Sequence, residues 1–180
     1  MKKNQFDADY LPDKIDLTGK SPYPVIDWIK EKRLDIAYGE GPMQKMDLYY
    51  PENAEAPFPT VIIIHGGGFM EGDKRDLHLY PGFFALLEGF ALVSINYGLA
   101  PPAVFPSPVL DVKADICYLR AHARELKLDD GNFFLYGTSA GGNLATYAGL
   151  DGEAARGTEN DHQGRAARGP FILFLSFSAK

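Results

Sequence analysis

The chain has 180 residues, enough for one domain that buries roughly 70% of the surface its unfolded form exposes, and too few for two of ordinary size. Its 46% hydrophobic and 23% charged residues exclude a disordered, collagen-like or disulfide-scaffold protein, and a net charge of −6 without a basic cluster argues against nucleic acid as a partner. The apolar runs are too short for a membrane span, and the two N-terminal lysines precede no apolar stretch, so no secretory leader is read and a cytoplasmic location is expected.

Residues 1–33, interrupted by Pro12, Pro22 and Pro24, read as an N-terminal arm with a short helix allowed at 25–32, ahead of a domain at 34–180. Segments 34–38 and 45–50 flank Gly39-Glu40-Gly41-Pro42 and suggest an antiparallel hairpin. After a Pro-rich link, TVIIIH at 60–65 is β-branched without alternation, the pattern of a strand buried on both faces. A helix at 77–87, a strand at 90–97, a helix at 109–126 with Val112, Ile116, Leu119 and Ala123 at helical spacing, a strand at 132–136 and a helix at 140–150 follow. This alternation predicts an α/β domain: a mostly parallel sheet flanked by helices, with an N-terminal antiparallel hairpin.

Residues 151–170 have alanine as their only apolar type and read as a long loop, and FILFLSFS at 171–178 as a further buried strand. If exposed, that strand would need an oligomer partner to cover its edge. Cys117 is the only cysteine, which excludes an internal disulfide and a Cys-based zinc site, and its apolar helical setting suggests a small core residue. His65, His78, His122 and His162 show no paired metal-ligand spacing; His78 and His122 read as solvated helix residues. Tyr49, Tyr50, Phe83, Phe84, Phe133 and Phe134 read as core and sheet packing.

The chemistry lies in two glycine motifs, each directly after a strand, where parallel sheets bind their ligands. Gly137-Thr138-Ser139-Ala140-Gly141 fits G-x-S-x-G between strand and helix, a tight turn that lifts Ser139 Oγ over the sheet and leaves no room for side chains at its glycines. In His65-Gly66-Gly67-Gly68-Phe69 the glycines let backbone N–H groups converge on one anionic oxygen, as an oxyanion hole requires. A phosphate cradle is the competing reading, but Glu71 stands where a dinucleotide fingerprint needs glycine, and no G-K-[ST] occurs.

On these motifs the sequence resembles the α/β-hydrolase superfamily, and within it the esterases related to hormone-sensitive lipase and the acetylxylan/feruloyl esterase-like enzymes. Asn96-Tyr97-Gly98-Leu99-Ala100-Pro101, with Phe105-Pro106 and Asp111, is similar to that group's D/N-Y-R-L-A-P…F-P…D segment. The likeness spans about residues 34–150. It implies Ser139 as nucleophile, an oxyanion hole from the backbone N–H groups of Gly67, Gly68 and Ala140, a structural His65, and no metal or organic cofactor. Gly98 stands in place of the usual Arg, and Thr138 where many members have Asp. Asp111 is expected to make a structural hydrogen bond, and Phe69 and Met70 are acyl-pocket candidates by position.

Chain order in this fold is Ser, acid, His. After Ser139 come Asp151, Glu153, Glu159, Asp161 and one histidine, His162, which precedes strand 171–178 and is not assigned as the base. The expectation is a C-terminally truncated esterase or lipase whose C-terminal strands are missing, acting on short acyl esters or acetylated carbohydrate. The alternative is an inactive fragment or a non-enzymatic binding module on the same fold.

Overall fold

The computed structural model describes Pro24, residues 26–150, and the backbone of Phe171 and Ile172. Two strands, β1 (Lys32–Ala37) and β2 (Lys45–Tyr49), form the expected antiparallel hairpin. There follow β3 (Phe58–Ile64), a 3-10 turn (Leu77–Leu79) running into α1 (Tyr80–Leu87), β4 (Ala91–Ile95), α2 (Ser107–Ala121), β5 (Leu128–Gly137), α3 (Ala140–Leu150) and β6 (Phe171–Ile172). The sheet order is β1-β2-β4-β3-β5-β6; β2 runs antiparallel to β4, and β4, β3, β5 and β6 are mutually parallel.

The apolar run of β3 explains its central place. Ile62 and Ile64 join Val93, Ile95, Leu135 and residues of α2 and α3 in one core cluster, while Ile63 faces the opposite way into a second cluster with Leu92, Tyr136, Phe83 and Leu86. Each isoleucine is at most 1% exposed, so each contributes roughly 1.5–3 kcal/mol of burial, and both faces of the strand require cover. The crossovers supply it. From β3 the chain passes through α1 to β4 on one side, then returns through α2 to β5 on the other; right-handed crossovers in opposite directions place α1 and α2 on opposite faces.

Several expectations shift. Instead of a helix at 25–32, Ile26–Ile29 close a turn and Lys32 already pairs with Tyr49, so the ladder takes residues a helix would have used. Trp28 meets Phe83 edge-on and Ile29 is buried. α2 ends at Ala121; beyond it the chain tightens into turns that still bury Ala123 and Leu126 and deliver Leu128 to β5. Cys117 is exposed, because the buried stripe of α2 runs through Val112, Ile116 and Leu119 and leaves position 117 turned outward. Tyr49, Tyr50, Phe83 and Phe133 are core residues, whereas Phe84 is exposed. Residues 151–170 and 173–180, and with them the loop and most of the strand read there, lie outside the described residues. Among the described helices none is long and apolar enough to cross a membrane.

Candidate active site

β3 and β5 are separated in sequence by a helix, a strand and another helix, yet they pair directly, with Ile64 opposite Gly137. The loops leaving their carboxyl ends therefore start side by side, and these loops are the two glycine motifs.

After β5 the chain turns sharply. Ser139 has φ 51°, a left-handed conformation uncommon for a residue with a side chain, and it is exposed at the surface. The turn holds because backbone closes around it: a Cβ on Gly137 would lie 2.3 Å from the Gly141 carbonyl oxygen, and one on Gly141 would lie 2.0 Å from that of Ile64. α3 thus packs its first turn directly against the end of β3. Ala140 is the first residue of α3, where helix N–H groups have no carbonyl behind them.

On the β3 side, Gly67 and Gly68 have φ 110° and 61°, and a Cβ on Gly67 would lie 2.0 Å from the Glu71 carbonyl oxygen. The Met70 and Glu71 N–H groups both donate to the Gly67 carbonyl, curling the loop. The N–H groups of Gly67, Gly68 and Ala140 donate to no described backbone acceptor. His65, 1% exposed, is stacked on Tyr97 with centroids 4.4 Å apart, and its Nδ1 lies 2.7 Å from the Gly66 carbonyl oxygen. Burial holds its pKa below the ordinary imidazole value, so the ring is a neutral strut inside the loop. The Tyr97 hydroxyl donates to the His65 carbonyl at 2.9 Å.

The segment after β4 braces the same region. The Ala100 N–H donates to the Phe69 carbonyl at 2.7 Å. Asp111 accepts from the Gly98 N–H at 2.8 Å and from Gln44 Nε2 at 2.7 Å, the structural part expected of it. A side chain at 98 would press on Ala103 and Asp111, with a Cβ at 3.0 and 3.1 Å. Phe69 is half-buried against the larger core cluster, whereas Met70 is 67% exposed.

Sequence reasoning missed the clamp behind the HGGG loop. Asp47 on β2 is fully buried and accepts from Arg75 Nε and Nη2, the Asp35 N–H and the Tyr49 hydroxyl. Lys74 Nζ pairs with Asp35 at 2.7 Å; the Lys74 N–H donates to Asn96 Oδ1, and its carbonyl accepts from Ser94 Oγ. No local pattern announces this network. One inward charge, Asp47, amid the alternation of β2 was the available signal.

The histidines also differ from expectation. His122 caps α2, its Nδ1 2.9 Å from the Tyr118 carbonyl oxygen. His78 is not a solvated helix residue: it sits in the 3-10 turn, 21% exposed, with Nδ1 2.8 Å from Asp76 Oδ1 and its ring edge against Gly66. No group of three or more His, Cys, Asp or Glu that could hold a metal occurs among the described residues. Asp151, Glu153, Glu159, Asp161 and His162 lie outside them.

The BD-FAE family model matches residues 46–169, which take in both glycine motifs. Esterase LipC of Mycobacterium tuberculosis is 32% identical over 136 residues, covering 74% of this chain and 32% of LipC. The versiconal hemiacetal acetate esterase of Dothistroma septosporum is 31% identical over 114 residues, 63% of this chain and 35% of that protein. Among solved structures, a truncated form of a carbohydrate esterase from gut microbiota superposes with a TM-score of 0.68 at 27% identity, over 77% of this chain and 50% of that one. The chain thus spans about a third of these curated relatives. It belongs to the BD-FAE family and shares the α/β-hydrolase fold of the esterases it resembles.

Proposed function

We propose that this protein is a serine carboxylic-ester hydrolase in which Ser139 is the nucleophile and the backbone N–H groups of Gly67, Gly68 and Ala140 form the oxyanion hole. The pairing of Ile64 with Gly137 carries this reading, because it sets an exposed, strained serine beside a loop whose Gly67 and Gly68 N–H groups donate to no described backbone acceptor. Attack of Ser139 Oγ on an ester carbonyl would place negative charge on the carbonyl oxygen, where preorganised donors lower the barrier; removing one such donor typically costs about 10²–10³ in rate. Short acyl esters and acetylated carbohydrates are the proposed substrates. The names of the carbohydrate esterase and the hemiacetal acetate esterase support that class.

A fluorophosphonate probe tests the reading. The folded chain labels, the S139A variant does not, and p-nitrophenyl acetate hydrolysis is lost with the label. Labelling that survives S139A would overturn it. A second reading is an inactive fragment or a binding module on the same fold. It predicts a folded chain that never labels.

A further inference from the structure

The segment that leaves β4 holds the HGGG loop at three points. At the loop's start, Tyr97 stacks on His65 and donates to its carbonyl at 2.9 Å; in the middle, the Phe69 carbonyl accepts from the Ala100 N–H at 2.7 Å. Where the loop returns, the Asn96 carboxamide spans residues 73 and 74: Oδ1 accepts the Lys74 N–H at 2.6 Å, and Nδ2 donates to Asp73 Oδ2 at 2.9 Å. Asn96 is itself fixed, 7% exposed, with its N–H on the Lys45 carbonyl at 2.9 Å and its own carbonyl accepting from the Tyr38 hydroxyl. The second Asp73 oxygen, Oδ1, accepts the Arg75 N–H at 2.8 Å. A backbone N–H only donates and a carboxylate only accepts. Position 96 therefore needs one acceptor and one donor side by side, which a carboxamide supplies and an ionised carboxylate does not.

This return fixes the direction of two N–H groups. Gly72, with φ 116°, lies so close to the start of the loop that a Cβ on it would be 2.3 Å from His65 Nδ1 and 2.7 Å from the Gly66 carbonyl oxygen. One residue earlier, the Glu71 carbonyl oxygen would lie 2.0 Å from a Cβ on Gly67, and the Met70 and Glu71 N–H groups both donate to the Gly67 carbonyl. The loop thus closes backbone on backbone, with no side chain as a spacer. A shift of residues 73 and 74 passes through Gly72 and Glu71 to the peptide planes of Gly67 and Gly68.

We propose that Asn96 is a positioning residue for the reaction at Ser139: through Asp73 and the Lys74 N–H, its carboxamide aims the Gly67 and Gly68 N–H groups at the developing oxyanion. The proposal rests on Ser139 being the nucleophile and on those two N–H groups belonging to the oxyanion hole. Asn96 itself touches no substrate. Donors displaced by about 1 Å lose their hold on transition-state charge while the neutral ground state still binds, so the effect falls on the rate of the chemical step. The chemistry of the pair offers a direct probe. Asn96→Asp keeps the side-chain size but sets a second carboxylate against Asp73 at a spacing of 2.9 Å. Adding Asp73→Asn to the same chain exchanges donor and acceptor: the new carboxamide donates to position 96 and still accepts from the Arg75 N–H, and the net charge is that of the wild type.

The test uses the full 180-residue chain and a fluorophosphonate probe, whose phosphoryl oxygen takes the place of the oxyanion as Ser139 Oγ bonds to phosphorus and fluoride leaves. Labelling of wild type, S139A, N96D, D73N and the double variant N96D/D73N is followed against probe concentration at pH 7. Each gives a maximal rate and a half-saturating concentration, and a urea titration of each gives its folded fraction. We expect N96D to lower the maximal rate at least about tenfold with the half-saturating concentration held within about twofold, and D73N to lower it by less. The double variant should label within about threefold of wild type, because both hydrogen bonds return. If N96D does not fold, D73N against the double variant carries the same comparison. Single variants that label at the wild-type rate, or that are slowed only by their unfolded fraction, leave Asn96 a part in stability alone and overturn the proposal. A double variant no faster than either single variant overturns it too. In these cases the Ser139 reading stands, provided that wild type labels and S139A does not. A folded wild-type chain that fails to label, or S139A that labels, overturns both.

Discussion

Gly141 and Gly142 are neighbours in the first turn of α3, and the two predict opposite responses to the same substitution. On an exposed helix, Gly→Ala stabilises by up to about 1 kcal/mol. At Gly142 the new Cβ would meet the Gly137 carbonyl oxygen at 3.2 Å, a tight but tolerable contact, so G142A should fall within about 1 kcal/mol of wild type. At Gly141 it would meet the Ile64 carbonyl oxygen at 2.0 Å and that of His65 at 2.5 Å. Both are backbone atoms held in the sheet, so α3 has to withdraw from β3 by about 1 Å. Overpacking of this kind costs about 1–3 kcal/mol, and backbone on both sides puts G141A at the upper end. With a urea m-value of about 2 kcal/mol/M for a chain of this size, a loss of 3 kcal/mol lowers the midpoint by about 1.5 M. The same displacement would carry Ala140 and Ser139 away from Gly67 and Gly68, and a 1 Å misplacement of catalytic groups can cost about 10² in rate. Urea titrations of both variants, paired with probe labelling, measure the two effects. A G141A midpoint no lower than that of G142A would refute the close contact between α3 and β3.

Arg75→Met removes the guanidinium from fully buried Asp47 while keeping the stem; with Lys74 Nζ still 3.6 Å away, we expect a loss of about 2–4 kcal/mol in urea unfolding at pH 7. Asp35 is held at about 2 by Lys74 first and Arg75 second, below its unfolded value near 3.8, so it adds stability above that value which is lost as pH falls through about 2; the acid-side decline of stability should be shallower in R75M. Asp115 has the opposite sign: it is fully buried, neither carboxylate oxygen has a partner among the described residues, and burial raises its pKa well above the ordinary value, so folding stability should fall as pH rises from about 4. Asp115→Leu should remove that decline and stabilise the chain by at least about 1–3 kcal/mol at pH 7, read from urea midpoints between pH 4 and 8. Tyr97→Phe leaves the buried His65 carbonyl without its 2.9 Å donor and should cost about 1–2 kcal/mol in the same assay, with a fall in probe labelling as the HGGG loop loosens.

What could be read from the residues was what depends on neighbours along the chain. The β-branched run at 60–64 marks a strand with two buried faces, because no polar residue after Thr60 interrupts it for solvent to meet. The glycines at 137 and 141 mark a turn with no room for Cβ atoms, and the order of strands and helices implies the crossovers and hence the parallel sheet. The ends of elements were less legible, since the boundary of α2 at Ala121 answers to where β5 must begin rather than to the spacing of Val112, Ile116 and Leu119.

The rest belongs to tertiary structure. Nothing local says that β3 pairs with β5, Ile64 with Gly137, and only that pairing makes one site of two motifs. Nothing in the alternation of β2 says that Asp47 meets Arg75, and nothing in the spacing of α2 says that both oxygens of Asp115 lie in the core without partners among the described residues. His78, too, is one residue of a short turn until the fold lays its ring edge against Gly66. Periodicity encodes the kind of element and its apolar side. Which charges and rings then face one another depends on crossovers and close packing between distant segments, and so appears only once the chain is folded.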